Sequence, residues 1–501
     1  MIFLDKRFGN FTLPGIEMSG HRKRLGQFFT PTDLAQTLVK WTGAKPSHRL
    51  LDPSCGDGEF LACHRRSVGI ELDREHARTA RTRAPWAHIH EGDFFEWASR
   101  TVDRFDHAAG NPPFIRYQNF TGQTRERALA GAAKLGARFN GLSSSWAPFL
   151  IVTAGLLKPG GSMSFVVPAE IGHATYAEPL LETLCARFAS VHIVAFREKL
   201  FPALSEDCWV LECKEFGGST LEIKLSSAER FSASELPPRA SRKISLTNWR
   251  LSGCRLRKFL LAPEIMDLYE ELSAAKDMAR FSDLAHAGIG YVSGANDFFH
   301  LSPTEANRWG IPKELLRVSV RKSDQLPVGS VDQRTVQEWL ANDERVLLLN
   351  LGGVERLPRS VCGYLATDAG QLAKRTYKCR NRDPWYVVPD VKTPDGFLSY
   401  MSGLTPRLVA NEAGCVCTNS LHAVRVKPGY AMHQLQRGWQ TPIARLSCEL
   451  EGHPLGGGML KLEPREAGRV LIPMSRVSIP EYQANLIQRA LDEARRWRHY
   501  D

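Results

Sequence analysis

The sequence predicts an α/β protein, a doubly wound and mostly parallel sheet of seven strands, followed by a second domain of mixed α and β character. Short apolar runs alternate with amphipathic stretches over roughly the first two hundred residues. Glycine turns and acidic residues stand where those apolar runs hand over to helices. The chain has 501 residues, room for two or three domains and a large core.

Taken in order, Thr30-Pro31-Thr32-Asp33 reads as a helix start. Thr30 is placed to cap it, Pro31 suits the first turn and Asp33 stands where a reciprocal cap would. Leu34, Leu38, Val39 and Trp41 then recur at helical spacing, so the plain reading is an amphipathic helix packed on the sheet. Residues 49–61 read as a strand, a glycine turn and a second helix start; Gly56 and Gly58 permit positive φ and close approach to a ligand. Free N–H groups at that helix start face the same turn. A second apolar strand ends in Glu71 and Asp73, with Glu71 nineteen positions after Asp52. An acid there is how nucleotide-binding α/β folds hold ribose hydroxyls. A third strand over 87–90 runs into Gly92-Asp93-Phe94-Phe95.

The fourth strand leads into Asn111-Pro112-Pro113-Phe114. Two prolines fix φ and remove two backbone donors, so neighbouring carbonyls take a set direction. An Asn oxygen beside such carbonyls makes a pair of acceptors for an exocyclic amine, and the phenylalanine offers a flat face to the ring that carries it. A proline turn closing a strand is the plainer alternative. Residues 145–157 then read as a buried helix ended by Lys158-Pro-Gly-Gly161. Residues 164–168, 191–196 and 208–214 read as the fifth, sixth and seventh strands, with Phe201-Pro202 in the loop between the last two.

Gly26-Gln-Phe28-Phe-Thr30-Pro31, Asp52-Pro53-Ser54-Cys-Gly56-Asp-Gly58, Gly69-Ile-Glu71-Leu72-Asp73, Gly92-Asp93-Phe94 and Asn111-Pro-Pro-Phe114 occur in this order. The series resembles the gamma group of S-adenosylmethionine-dependent N6-adenine DNA methyltransferases, the TaqI-like enzymes. That resemblance implies a Rossmann-like seven-strand methyltransferase domain and a C-terminal α+β target-recognition domain. It implies that Phe28, Thr30 and Pro31 cover the methionine end of the cofactor, while Asp52, Pro53, Ser54, Gly56 and Gly58 hold it from below. Glu71 with Leu72 would take the ribose, and Asp93 with Phe94 the adenine. Asn111, Pro112, Pro113 and Phe114 would be catalytic, and Phe201 would stack on the target base opposite Phe114; a loop phenylalanine sealing the sheet is the alternative for Phe201.

Composition agrees. The net charge of +11 and pI near 9.1 favour a polyanionic partner. Eleven scattered cysteines show no CxxC pair, which predicts a reducing cytoplasmic setting and no metal. No apolar run reaches membrane-spanning length and no signal peptide is read at Met1, so a soluble protein is expected.

The expected domains are 1–215 for catalysis, 216–263 as a crossing linker and 264–501 for DNA recognition. Within the linker, Arg239, Arg242, Lys243 and Arg250 are candidates for phosphate contact. The last domain carries three polar segments around Asn296, around Lys374, Arg375, Tyr377, Lys378, Arg380 and Arg382, and around Asn419. Arg pairs bidentately with guanine and Asn with adenine, whereas Lys mainly meets phosphates. A solvated charged face is the alternative. The terminal stretch to Trp497 reads as an amphipathic helix that packs rather than binds.

Duplex DNA is thus the expected substrate, with a separately encoded restriction endonuclease as a possible partner. RNA or protein-glutamine methylation, cytosine N4 methylation and a catalytically silent nucleic-acid-binding relative are the rival readings. Asn rather than Ser at the head of the Pro-Pro turn favours adenine over cytosine.

Overall fold

The computed structural model describes residues 30–204, 206–455, 457–474 and 480–500. The chain divides into two compact units after Leu260. In the first, the strands are β1 (Leu50–Asp52), β2 (Ser67–Glu71), β3 (His88–Glu91), β4 (Phe105–Gly110), β5 (Leu157–Pro168), β6 (Phe188–Phe196), β7 (Cys208–Phe216), β8 (Glu222–Ala228) and β9 (Arg242–Ser245). They form one nine-stranded sheet in the order β3-β2-β1-β4-β5-β7-β6-β8-β9. β1 pairs in parallel with β2 on one side and β4 on the other, while β7 runs antiparallel to both β5 and β6. β2 is buried at all five positions, as a central parallel strand should be.

Two sequence expectations change here. Seven strands become nine, because the stretch 216–263 that reads as a linker supplies β8 and β9 to the sheet. Ile223, Leu225 and Ile244 alternate with Lys224 and Lys243, a short half-buried pattern hidden among Gly, Pro and Ser. Two of the cations expected to face phosphate are paired within the protein: Arg250 with Glu182 at 2.8 Å and Lys243 with Glu222 at 3.2 Å. Second, Lys158-Pro-Gly-Gly161, which reads as the stop of a helix running to 157, lies within β5, and the helix ends at Ala154. The register against β4 jumps from Phe105–Leu157 to His107–Ser162, so the turn residues form a bulge.

One helix precedes the early strands, α1 (Thr32–Trp41), and others intervene between them: α2 (Glu59–Ala62), α3 (Arg74–Arg83), α4 (Phe94–Arg100), α5 (Gly122–Lys134) and α6 (Trp146–Ala154). α6 is buried at every one of its nine residues, which its uninterrupted apolar sequence requires. α1 begins at Thr32 with Pro31 as its N-cap, so Thr30 does not cap it and Asp33 instead accepts from Leu34 N at 2.8 Å. Proline at this position contributes its carbonyl, which accepts from Ala35 N at 3.0 Å, and Thr30 keeps its hydroxyl for another partner.

The second unit holds a five-stranded sheet and smaller sheets of four, three and two strands. Its last helix, Glu481–Arg496, buries Ile487, Ala490, Leu491 and Ala494 and therefore packs as expected. Just beyond it, the fully buried Arg498 guanidinium donates to both carboxylate oxygens of Glu449 at 2.8 Å. Removing one partner of such a pair strands the other charge. Arg498→Ala is expected to destabilise the second unit by about 3 kcal/mol, measured as a lowered urea midpoint of tryptophan fluorescence.

Candidate functional site

The carboxyl ends of β1, β2 and β4 open on one cavity of about 430 Å³. Its floor is the turn after β1. Gly58 has φ +85° and N-caps α2, a left-handed conformation that L side chains seldom take. A Cβ there would also stand 2.9 Å from Ala80 of α3. Gly110, at the end of β4, leaves room for the Asp52 carboxylate, since a Cβ would lie 2.8 Å from its Oδ1.

Three acids hold the near wall. Glu71 accepts from Gly56 N on one oxygen and from Asp73 N on the other, each at 2.8 Å. Both oxygens are pinned, yet each keeps a second lone pair for a hydroxyl donor. Burial raises the Glu71 carboxyl above the ordinary carboxylate range, opposed by those two N–H groups. Asp93 caps α4 through Glu96 N at 2.8 Å and accepts from Thr124 of α5 at 3.0 Å. Asp52 is 1% exposed; its Oδ1 accepts from Ser54 N at 3.2 Å while the buried Oδ2 has no partner. Burial pushes its carboxyl up to about 8, with Glu71 adding to the rise.

The far wall is the Asn111 turn. Asn111 Nδ2 donates to Thr30 Oγ1 at 3.4 Å, which leaves Oδ1 buried without a hydrogen bond. Thr30, Asp52, Pro53, Ser54, Gly56, Glu71, Leu72, Asp93, Phe94, Asn111 and Pro113 all line the cavity. Pro31, Gly58, Pro112, Phe114 and Phe201 are not among its lining residues, and Phe28 lies outside the described residues. Phe114 and Phe201 are nearly buried, at 9% and 7% exposure.

Sequence reading missed several lining residues. Phe120 and Phe149 supply apolar wall, and Thr124 and Ser145 supply hydroxyls near the starts of α5 and α6. The run Ser143-Ser-Ser-Trp146, a helix-start signal, was the available clue for Ser145.

In the second unit the three polar segments come together. Tyr291 bridges to Thr418, and Asn419 N donates to Tyr291 O at 2.9 Å. Arg382 donates to the carbonyls of Ser293 and Val292 at 2.6 and 2.5 Å, so its guanidinium works within the fold. Asn296 Oδ1 accepts from Ser293 Oγ at 2.5 Å. Lys374, Arg375, Lys378 and Arg380 are exposed, and Arg380 lies 5.3 Å over the exposed Tyr377 ring.

Comparison with known proteins gives concordant matches. Residues 18–210 match the family model N-6 DNA Methylase, and residues 255–500 match the C-terminal domain of the type II methyltransferase M.Eco57I. Type II methyltransferase M.AccI of Acinetobacter calcoaceticus is 20% identical over 471 residues, covering 90% of this chain and 85% of that one. M.XamI of Xanthomonas campestris pv. amaranthicola is 20% identical over 487 residues, covering 91% and 86%. Among solved structures, the type IIL restriction-modification enzyme MmeI in complex with DNA shares the fold at a TM-score of 0.53 and 13% identity, over 93% of this chain and 72% of that one.

The cavity's donor set fits S-adenosylmethionine. Glu71 suits a ribose diol, Asp93 and the neighbouring aromatics suit an adenine, and the orphaned Asp52 oxygen suits a cationic amino-acid end. A cation beside Asp52 favours the ionised carboxylate. Affinity for S-adenosylhomocysteine, which keeps that ammonium, is therefore expected to rise from about pH 6 to about pH 8 and then level off. Asp52→Asn should flatten the profile in calorimetric titrations. In the second unit, Arg382→Ala is expected to lower the melting temperature, whereas Lys374→Ala and Arg380→Ala leave it unchanged and reduce the salt dependence of DNA binding.

Proposed function

We infer that this chain, a DNA N6-adenine methyltransferase built from an N-6 DNA methylase domain and a type II methyltransferase C-terminal domain, performs its transfer at the Asn111–Phe114 turn. The observation that carries the assignment is the buried Asn111 Oδ1, an acceptor without a partner at the wall of the cofactor cavity. An unpaired buried acceptor costs free energy unless a ligand donor satisfies it.

S-adenosylmethionine supplies an electrophilic methyl on a sulfonium that leaves readily. The protein's own part is orientation and charge. Asn111 Oδ1 and the Pro112 carbonyl each accept one N6 hydrogen of the target adenine. Two acceptors on one nitrogen draw its lone pair out of conjugation and stabilise the positive charge that grows on it during transfer. After transfer the cationic N6 is strongly acidic and gives its extra proton to solvent, so no strong general base is required. The paired amine is inaccessible inside the duplex, so the base swings out of the stack. Phe114 and Phe201 replace its stacking once their buried rings turn toward it.

The second unit reads the duplex through the joined surface of Asn296, the 374–380 cluster and Asn419. The order of motifs supports the gamma arrangement, with the cofactor loop ahead of the Asn111 turn and recognition segments after it. A modification role is compatible with a separately encoded endonuclease as partner and with a cytoplasmic location. Among the described residues no helix is long and apolar enough to cross a membrane.

Asn111→Ala is expected to bind S-adenosylhomocysteine normally and to lose transfer by roughly 100- to 1,000-fold. Tritium transfer to unmethylated duplex DNA, followed by nucleoside analysis, checks this. Label in N4-methylcytosine, or an unimpaired variant, would overturn the assignment.

A further inference from the structure

Pro112 and Pro113 have no N–H, so the catalytic turn lacks two successive backbone donors. Its carbonyls are therefore the main handles by which the protein can orient it. Two serines take them. Ser54 Oγ donates to Asn111 O at 3.3 Å. Ser145 Oγ donates to Pro113 O at 2.5 Å and accepts from Ile115 N at 3.0 Å, while Ser145 N donates to Ile115 O at 3.0 Å. Between these two handles, no hydrogen bond to the Pro112 carbonyl is found among the described residues.

Ser145 is 2% exposed and N-caps α6, whose nine residues are all buried. It is thus mounted on a stiff, fully packed element. Its hydroxyl gives its one proton to Pro113 O and accepts from Ile115 N, so it has no proton left for substrate.

We propose that Ser145 is a positioning residue for methyl transfer. By clamping the peptide groups on the far side of Pro113, it sets the plane of the turn and hence the direction of the Pro112 carbonyl. The inference rests on the reading of Asn111 and Pro112 as the acceptors of the target amine. Without the clamp the Pro113–Ile115 peptide groups rotate, and misplacing a reacting group by about 1 Å costs roughly 100-fold in rate.

The test compares Ser145→Ala, Ser145→Thr and Asn111→Ala with the parent protein. It uses single-turnover transfer of tritiated methyl to unmethylated plasmid DNA, KM for that DNA, and the dissociation constant for S-adenosylhomocysteine. Ser145→Ala is expected to lose about 10- to 100-fold in single-turnover rate, with KM and the dissociation constant within about twofold of the parent. Ser145→Thr, which keeps the hydroxyl, should recover most of that loss. An undiminished rate in Ser145→Ala beside a crippled Asn111→Ala would overturn the positioning role alone. So would a loss of rate matched by a loss of ligand affinity, or a threonine variant no better than alanine. A fully active Asn111→Ala would instead overturn the underlying reading of the turn.

Discussion

Everything at the site depends on β1 lying between β2 and β4, parallel to both. Parallel strands about 4.8 Å apart end on the same edge of the sheet. Asp52, Glu71 and Asn111, far apart in sequence, are therefore side by side at three neighbouring strand ends. The glycine at 110 permits the closest of these approaches, because any side chain there would collide with Asp52. An open α/β sheet binds ligands at this edge, outside the carboxyl ends of its strands.

The site concentrates polar groups that the rest of the sheet avoids. Asp52 and Glu71 are carboxylates at 1% and 4% exposure, set against apolar strands. Glu71 is satisfied by two backbone N–H groups, whereas Asp52 and Asn111 each retain one oxygen without a partner. Such incompletely paired groups are costly in a core and tolerable where a ligand completes them. The Asn111 turn adds a second constraint, since two prolines leave it dependent on Ser54 and Ser145 for its orientation.

Much of the first unit was legible because its signals are local. The acid at the end of β2, the positive-φ glycines after β1 and the Asn-Pro-Pro-Phe turn each announce themselves within a few residues. Errors arose where several local patterns compete. Thr30 looked like a helix cap, but Pro31 takes that position and the threonine hydroxyl meets Asn111 instead. Lys158–Gly161 reads as the stop of a helix and is a bulge in β5. The stretch after β7 looked like a linker because its strands are short and framed by Gly, Pro and Ser. Phe114 and Phe201 carry the right chemistry for stacking; both are nearly buried and stand outside the lining of the cavity at the strand ends.

By itself the sequence determined the strand-and-turn grammar, the acids at the strand ends and the Asn-Pro-Pro-Phe turn, because each is encoded by residues in direct succession. Only the tertiary structure decided which hydroxyls reach that turn, that Arg382 spends its guanidinium on carbonyls of its own unit, and that three distant polar segments are tied together by hydrogen bonds. Those outcomes depend on strand order and on which backbone groups remain unpaired after folding, and neither quantity is written at any one position of the chain.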